Sequence, residues 1–218
     1  MMRPAAARPT GTALGRDGFV KRFPVSRETM ARLDAYVALL KSWNRRINLV
    51  APNSLGDVWR RHILDCAQLF PQLPAEARVI VDLGSGAGLP GLVLALLGAP
   101  EVHLVEADQR KSAFLREALR VTGTSAVLHP VRSEKMPRLA ADAVTARALA
   151  PLPELLDIAE PFLVAHSILL FPKGRGVDEE LTLAAKGWKM KVRRLPSLTD
   201  PSGTILRLES VSREPRRT

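Results

Sequence analysis

The chain has 218 residues, 46% of them hydrophobic and 25% charged, with a formal charge of +10. That composition belongs to an ordinary globular protein long enough to bury a sizeable core, and it excludes collagen-like, coiled-coil and largely disordered chains. The lone Cys66 excludes an internal disulfide framework and a cysteine-rich metal site. No apolar run approaches the roughly 18 residues that a bilayer span needs. The N-terminus lacks the apolar core of a secretory signal, so a cytoplasmic location and no membrane contact are expected.

The charge is unevenly placed. Residues 1–27 carry six basic and one acidic residue, and residues 186–218 carry nine and three, while the rest is close to neutral. Two basic ends suit a polyanionic partner, because each Lys or Arg set against a phosphate releases counterions. Basic tails that only aid solubility account for the same numbers.

Residues 1–25 hold Pro4, Pro9, Gly11, Gly15, Gly18 and Pro24 without sustained periodicity, which predicts a flexible basic leader. Ser26 is a candidate N-cap for a helix carrying Met30, Leu33, Val37, Leu40 and Ile47 at helical spacing. Pro52 and Asn53 break it. A second helix is predicted through Leu55, Val58, Ile63, Cys66 and Leu69, ending near Pro71 and Pro74. From Arg78 strands and helices alternate. Strands are predicted at residues 79–81, 102–105, 126–128, 143–145 and 168–171, with helices at 89–97, 111–121 and 152–164. The end reads as a hairpin, residues 189–195 and 204–211 around Pro-Ser-Gly turn chemistry.

This order predicts an α/β fold, a mostly parallel Rossmann-like sheet with a C-terminal antiparallel hairpin and N-terminal cap helices. The expected organisation is a leader over 1–25 and one domain over 26–218. Residues 26–75 form the cap in that reading, and residues 76–212 the core.

The most informative segment runs from Asp82 to Gly91, where Gly84, Gly86 and Gly88 alternate between a strand and a helix and let a ligand approach the backbone. Asp82 is placed to take a ligand ammonium or to order the loop. Glu106 ends the next strand 22 residues after Gly84, where a carboxylate can take both ribose hydroxyls of an adenosine; Asp108 competes for that role. Residues 86–91 also satisfy G-x-G-x-x-G, which keeps an NAD-dependent oxidoreductase as an alternative. Against it, Leu89 stands where a dinucleotide loop needs a small residue. Pro90 would sit where a pyrophosphate needs free N–H groups. An acidic residue followed by alternating glycines, with an acid ending the second strand, instead resembles class I S-adenosylmethionine-dependent methyltransferases.

The acceptor is narrowed by what is missing. The segment Val144–Leu149 lacks the Asn- or Asp-Pro-Pro-aromatic motif usual for exocyclic amines. Cys66 precedes the cofactor loop, poorly placed as a nucleophile for cytosine C5. What remains favours an acceptor that is nucleophilic at neutral pH, such as guanine N7. That atom carries no proton and needs only alignment with the methyl group.

Five further stretches carry a closer resemblance: Trp43–Leu49, Arg61–Asp65, Leu89–Gly91, Arg147–Ala148 and Lys173–Gly174. In this order they resemble the small-subunit ribosomal RNA methyltransferase G family, also called glucose-inhibited division protein B, over residues 26–210. The resemblance implies N7 methylation of guanine 527 in 16S rRNA of the small ribosomal subunit, with S-adenosyl-L-methionine as cofactor. By position it implies that Gly84 and Leu89 line the methionine and sulfonium part of the cofactor. Ser133 and Glu134 would flank its adenine, and Arg147 would sit at the mouth where cofactor and base meet. A non-catalytic ribosome-assembly factor that keeps only the fold is the other alternative, and a monomer is expected.

Outside the loop, Arg147 is the candidate catalytic residue, at a strand end on the ligand edge of the sheet. His62 and Asp65 stand one helical turn apart and are read as a pair docking the cap helices rather than a catalytic dyad. Trp43 and Asn48 are open between RNA contact and core or capping roles, and Lys173 is read as a phosphate contact. His103, His129 and His166 have no metal-ligand spacing, so no metal is expected. The low aromatic content, 5%, argues against a stacking platform for single strands.

Overall fold

The computed structural model describes residues 14–214. Its centre is one sheet of seven strands: β1 (Val79–Leu83), β2 (Glu101–Val105), β3 (Val127–His129), β4 (Ala141–Ala146), β5 (Leu163–Lys173), β6 (Trp188–Pro196) and β7 (Thr204–Arg213). The order across the sheet is β3-β2-β1-β4-β5-β7-β6. The first five strands run parallel, and β7 is antiparallel to both β5 and β6. β1 is central, and Asp82 at its carboxyl end lies level with Leu104 of β2 and Thr145 of β4. Chain order reverses between β1 and β4, and in open α/β sheets ligands bind at such a switch point.

Both faces of the sheet are covered. On one, the cap helices, α4 (Gly91–Leu96) and α5 (Gln109–Thr122) bury Ile80, Val102 and Leu104. On the other, α6 (Leu152–Ala159) and α7 (Val177–Ala184) bury Val81, Leu83 and Val144. The short β1 is therefore buried from Ile80 to Leu83, as a strand covered on both sides must be. No helix among the described residues is long and apolar enough to cross a membrane.

The cap differs from expectation at its start. Residues 1–13 of the expected leader lie outside the described residues, but Arg16–Arg22 forms a helix, α1, rather than flexible chain. Phe19 is the reason. It is fully buried, 5.9 Å from the Phe23 ring and 5.5 Å from the Trp59 ring, and that apolar burial outweighs the glycines around it. Leu14 N–H also donates to Asp57 Oδ1 at 3.0 Å, so the segment is tied to the cap from residue 14. The next helix, α2 (Arg27–Trp43), begins as expected, with Ser26 Oγ accepting from Thr29 N–H at 3.0 Å.

The second cap helix is not regular. It runs as a 3₁₀ segment Pro52–Asp57, a π-helical turn Trp59–Leu64, a short α3 (Asp65–Ala67) and a 3₁₀ turn Phe70–Gln72. π-Turns are rare and concentrate at functional sites; this one carries Arg61 and His62. The hairpin forms where predicted. α7 was not anticipated, although Asp178, Glu179 and Glu180 in its first turn match the helix dipole.

Candidate functional site

The loop from Leu83 to Gly91 is shaped by its own backbone. Ser85 O accepts from Gly88 N–H at 2.7 Å and from Leu89 N–H at 3.0 Å, which folds the loop back on itself. Gly84 and Gly86 have φ of +61° and +56°, a left-handed conformation that disfavours a side chain. The peptide between Leu89 and Pro90 is cis. The turn offers few amides to a pyrophosphate: the Ser85, Gly86, Gly88 and Leu89 N–H groups are spent on Val105 O, Glu106 and Ser85 O, and Pro90 has none. This geometry disfavours the dinucleotide alternative.

Asp82 lies beneath the loop, fully buried. Its Oδ1 accepts from Thr145 Oγ1 at 2.7 Å, and Oδ2 is buried against Gly91 with no hydrogen-bond partner among the described residues. Burial pushes its carboxyl up to about 6, against the pull of the Thr145 hydrogen bond. Asp82 does not line the cavity above the loop, and its side-chain hydrogen bond runs to Thr145 of β4. The carboxylate is sealed from the cavity above.

Glu106 holds the loop from the side. Its Oε2 accepts from Gly86 N–H at 2.7 Å and its Oε1 from Asp108 N–H at 2.8 Å. A carboxylate has about four acceptor sites, so both oxygens keep capacity for ribose hydroxyls. Asp108 is the N-cap of α5, accepting from Arg110 and Lys111 N–H at 2.8 and 3.1 Å. Those bonds, led by that from Lys111, hold its carboxyl below the usual range.

A cavity of about 320 Å³ opens above the loop, and Gly84, Gly86, Leu89 and Arg147 line it together with His62 and Lys111. Gly88 does not face it, because a Cβ there would lie 2.7 Å from Leu92 Cβ in the packing beneath. Ser133 and Glu134 form a 3₁₀ turn after β3 at the same edge of the sheet, outside this lining.

Arg147 is where the core meets the cap. Its Nη2 donates to Arg61 O at 3.0 Å and lies 3.2 Å from His62 Nδ1. Its Nε lies 3.3 Å from Asp65 Oδ2, and its Nη1 lies 3.7 Å from Cys66 Sγ. His62 and Asp65 therefore meet through Arg147, which corrects the expectation of a direct pair. Ala148 next to it has φ of +52°, strained backbone for a residue with a Cβ.

The His62 proton can be placed. Ser54 Oγ donates to Ala51 O at 2.6 Å and lies 2.7 Å from His62 Nε2. Its one proton is thus spent, so His62 carries its proton on Nε2 and offers Nδ1 as an acceptor to Arg147. Burial, then the charges of Arg147 and Arg61, pull the imidazole down to about 4. Cys66 beside it is a buried thiol pushed up to about 12 by the same burial, so it is not a nucleophile.

Lys173 departs from expectation. Its Nζ donates to Ala150 O at 2.9 Å and pairs with Glu180 Oε2 at 2.7 Å, while Glu180 also accepts from Leu152 N–H. It fixes the loop after β4 rather than facing a phosphate. Trp43 takes the core alternative, edge-on to Phe114 at 5.7 Å. No group of three His, Cys, Asp or Glu among the described residues could hold a metal.

Some site residues carried no readable signal. Tyr36 Oη donates to Ala87 O at 2.6 Å across 51 residues and supports the glycine loop from α2; it is the chain's one tyrosine, inside an apolar stripe that explains it as core. Thr199, from the β6–β7 loop, donates its hydroxyl to Asp65 Oδ1 across 134 residues. Nothing in the sequence pairs them.

Solved structures with a similar fold include ribosomal protein L11 methylase from Lactobacillus delbrueckii subsp. bulgaricus, with a TM-score of 0.55 and 16% identity over 68% of this chain and 76% of that one. Another is M. jannaschii TYW2 in complex with AdoMet, with a TM-score of 0.53 and 16% identity over 78% and 80%. They share the architecture of the sheet. Sequence relatives are much nearer. Ribosomal RNA small subunit methyltransferase G of Rhodospirillum rubrum is 57% identical over 197 residues, 90% of this chain and 98% of that protein. The protein of the same name from Paramagnetospirillum magneticum is 54% identical over 200 residues, 92% and 98% respectively. The family model for rRNA small subunit methyltransferase G matches residues 29–204, and the chain belongs to that family.

Proposed function

We propose that the chain transfers a methyl group from S-adenosylmethionine to N7 of guanine 527 in 16S rRNA, in the bacterial cytoplasm. The observation that carries this reading is the position of Arg147, in the wall of the glycine-loop cavity and bound to the cap on its other side.

The residues fit the cofactor. A Cβ at Gly86 would meet nothing nearer than Gly84 O at 3.8 Å, so the loop is open where a ligand would lie. Glu106 presents a buried carboxylate with spare acceptor capacity, suited to a ribose diol. Gly84 and Leu89 would hold the methionine end, and Ser133 and Glu134 would flank the adenine from their turn after β3. When bound, S-adenosylmethionine supplies an electrophilic methyl on a sulfonium.

The protein's own part is alignment and charge placement. Guanine N7 has a free lone pair and no proton to lose, so no general base is needed. The site offers none: His62 donates from Nε2 to Ser54, and Arg147 occupies its Nδ1. Arg147 is a fixed cation with a planar fork that can stack on a base or hold a phosphate. The base must arrive unpaired or splayed out, because the deep major groove of an A-form helix hides N7 from side chains.

Calorimetry with S-adenosylhomocysteine and with NAD should show binding of the first only. Small subunits from a strain lacking the activity should then accept label from S-adenosylmethionine into their rRNA. Binding without transfer would sink the enzymatic reading in favour of an assembly factor.

A further inference from the structure

Arg147 separates two spaces. On one side is the glycine-loop cavity. On the other is a cavity of about 360 Å³ that no loop glycine reaches, lined by Arg60, Arg61, Asp65, Arg147, Thr199 and Asp200, with Pro201 at its rim. Asp200 also lines a neighbouring cavity of about 500 Å³ beside Arg147, and it is absent from the glycine-loop cavity.

The loop that carries Asp200 is firmly built. Gln68 Oε1 accepts from Leu198 N–H at 2.7 Å, and Ser197 Oγ lies 2.9 Å from Thr199 Oγ1, whose own hydroxyl reaches Asp65. Asp65 in turn holds Arg147, so this loop and Arg147 are set by one carboxylate. Asp200 Oδ1 accepts from both Ser202 N–H and Ser202 Oγ at 2.8 Å, which aims the side chain. Its Oδ2 has no hydrogen-bond partner among the described residues. Arg60 is paired with Asp57, whereas the Arg61 guanidinium forms no hydrogen bond or ion pair among the described residues.

Guanine is a two-edged ligand. N7 lies on one edge of the purine, and the N–H donors at N1 and the 2-amino group lie on the opposite edge. A base with N7 turned toward the glycine-loop cavity therefore points those two donors away from it, into the space beyond Arg147. A carboxylate is acceptor-only and matches two N–H donors, whereas adenine presents a lone pair at N1 and is repelled.

We propose that Asp200 is the specificity-determining residue of the acceptor site, its free carboxylate oxygen reading the Watson–Crick edge of the target guanine across the base from the methyl group. This rests on the guanine-N7 reading above. The Ser202 bonds, with Arg175 and Arg61 nearby, hold the Asp200 carboxyl below the usual range, so it is ionised at neutral pH. Arg61 stands at the same cavity as a cation for the phosphate of the flipped nucleotide.

The test uses small-subunit rRNA ligated from transcripts so that the acceptor is either guanosine or inosine, which keeps N7 and N1–H but lacks the 2-amino group. Single-turnover methyl transfer is measured for the full-length wild-type chain, Asp200→Asn and Asp200→Ala. The wild type should be about tenfold slower on inosine, the order of one hydrogen bond to a charged group. Both variants should be slower on guanosine and should treat the two bases alike within about twofold, with S-adenosylhomocysteine affinity unchanged. Asp200→Asn keeps the oxygen that Ser202 needs, so the loop stays built. A wild-type ratio near one, or the wild-type ratio persisting in both variants, would overturn the assignment. A wild type that leaves guanosine itself unmodified would instead defeat the parent function.

Discussion

The two halves of the site are built by different means. The glycine-loop half is made of one contiguous stretch, Leu83–Gly91, whose backbone bonds to itself and to Glu106. The Arg147 half is made of side chains from three distant segments, Ser54–Cys66, Arg147 and Ser197–Asp200. Burial shifts an ionisable group in each half, and between Asp82 and His62 the signs are opposite. Below the loop sits an acid, Asp82, raised to about 6; behind Arg147 sits a base, His62, lowered to about 4. Contiguous backbone makes a cradle that tolerates little change in shape. Converging side chains make a cluster that tolerates little change in charge.

The sharpest way to break that division is to remove the central cation. Arg147→Ala should slow single-turnover methyl transfer by about a thousandfold, the order seen when a pre-placed charge or donor is lost from a site. S-Adenosylhomocysteine affinity, measured by calorimetry, should change far less, because the loop and Glu106 are untouched. Unimpaired transfer would show that the cluster is only a hinge between cap and core.

On the other half the sensitive quantity is space. A Cβ at Gly91 would lie 2.6 Å from Asp82 Cβ and Oδ2 and from Leu104 Cδ2, all buried. Gly91→Ala should cost about 2–3 kcal/mol of stability in urea denaturation, as overpacking does. A cost below about 0.5 kcal/mol would mean that the loop relaxes freely.

The two buried groups also titrate in opposite senses. Asp82 binds its proton more tightly folded than unfolded, so it adds stability below its unfolded value of 3.8, and this is lost as pH rises to about 6. His62 binds its proton less tightly folded, so its contribution is present above 6.5 and is lost as pH falls to about 4. Each amounts to something on the order of 2–3 kcal/mol and they nearly cancel across the same window. Asp82→Asn should therefore make stability fall more steeply from pH 6.5 to 4, and His62→Gln should make it rise. Parallel curves for both variants and the wild type would refute the opposition.

The smallest expected effect concerns the charged ends. Most described cations of the hairpin are already paired: Arg213 with Asp157 and Glu160, Arg194 with Asp178, Arg207 with Glu209 and Lys189 with Glu214. Lys191 and Arg193 form no ion pair among the described residues. Replacing both with Ala should weaken rRNA binding modestly and flatten its salt dependence by a slope of one to two, roughly one per phosphate contact. An unchanged slope would place the RNA path elsewhere.

This contrast also explains what could be read in advance. The strand–loop–helix of Val79–Leu97 and the acid of Glu106 were legible because their partners are near in sequence or one strand away. Arg147 was legible from its place at a strand end. Its surroundings were not, because His62 and Asp65, with Ser54 behind His62, reach it from more than 80 residues earlier and Thr199 from a hairpin loop after it, and no periodicity records that. α1 was missed for a related reason: Phe19 has meaning only against Trp59, 40 positions later. Lys173 misled because a basic residue at the ligand edge looks alike whether its partner is a phosphate or the Glu180 carboxylate.

The proposed reaction leaves one chemical mark, a methyl group on N7 of a single guanine. N7-methylguanosine labilises its ribose linkage to borohydride and aniline, so the position can be mapped by strand scission in 16S rRNA treated with the full-length protein and S-adenosylmethionine. The expected result is one new break at guanine 527, absent with Arg147→Ala and absent without cofactor. Cofactor binding with no break at that guanine, or label at another position, would contradict it.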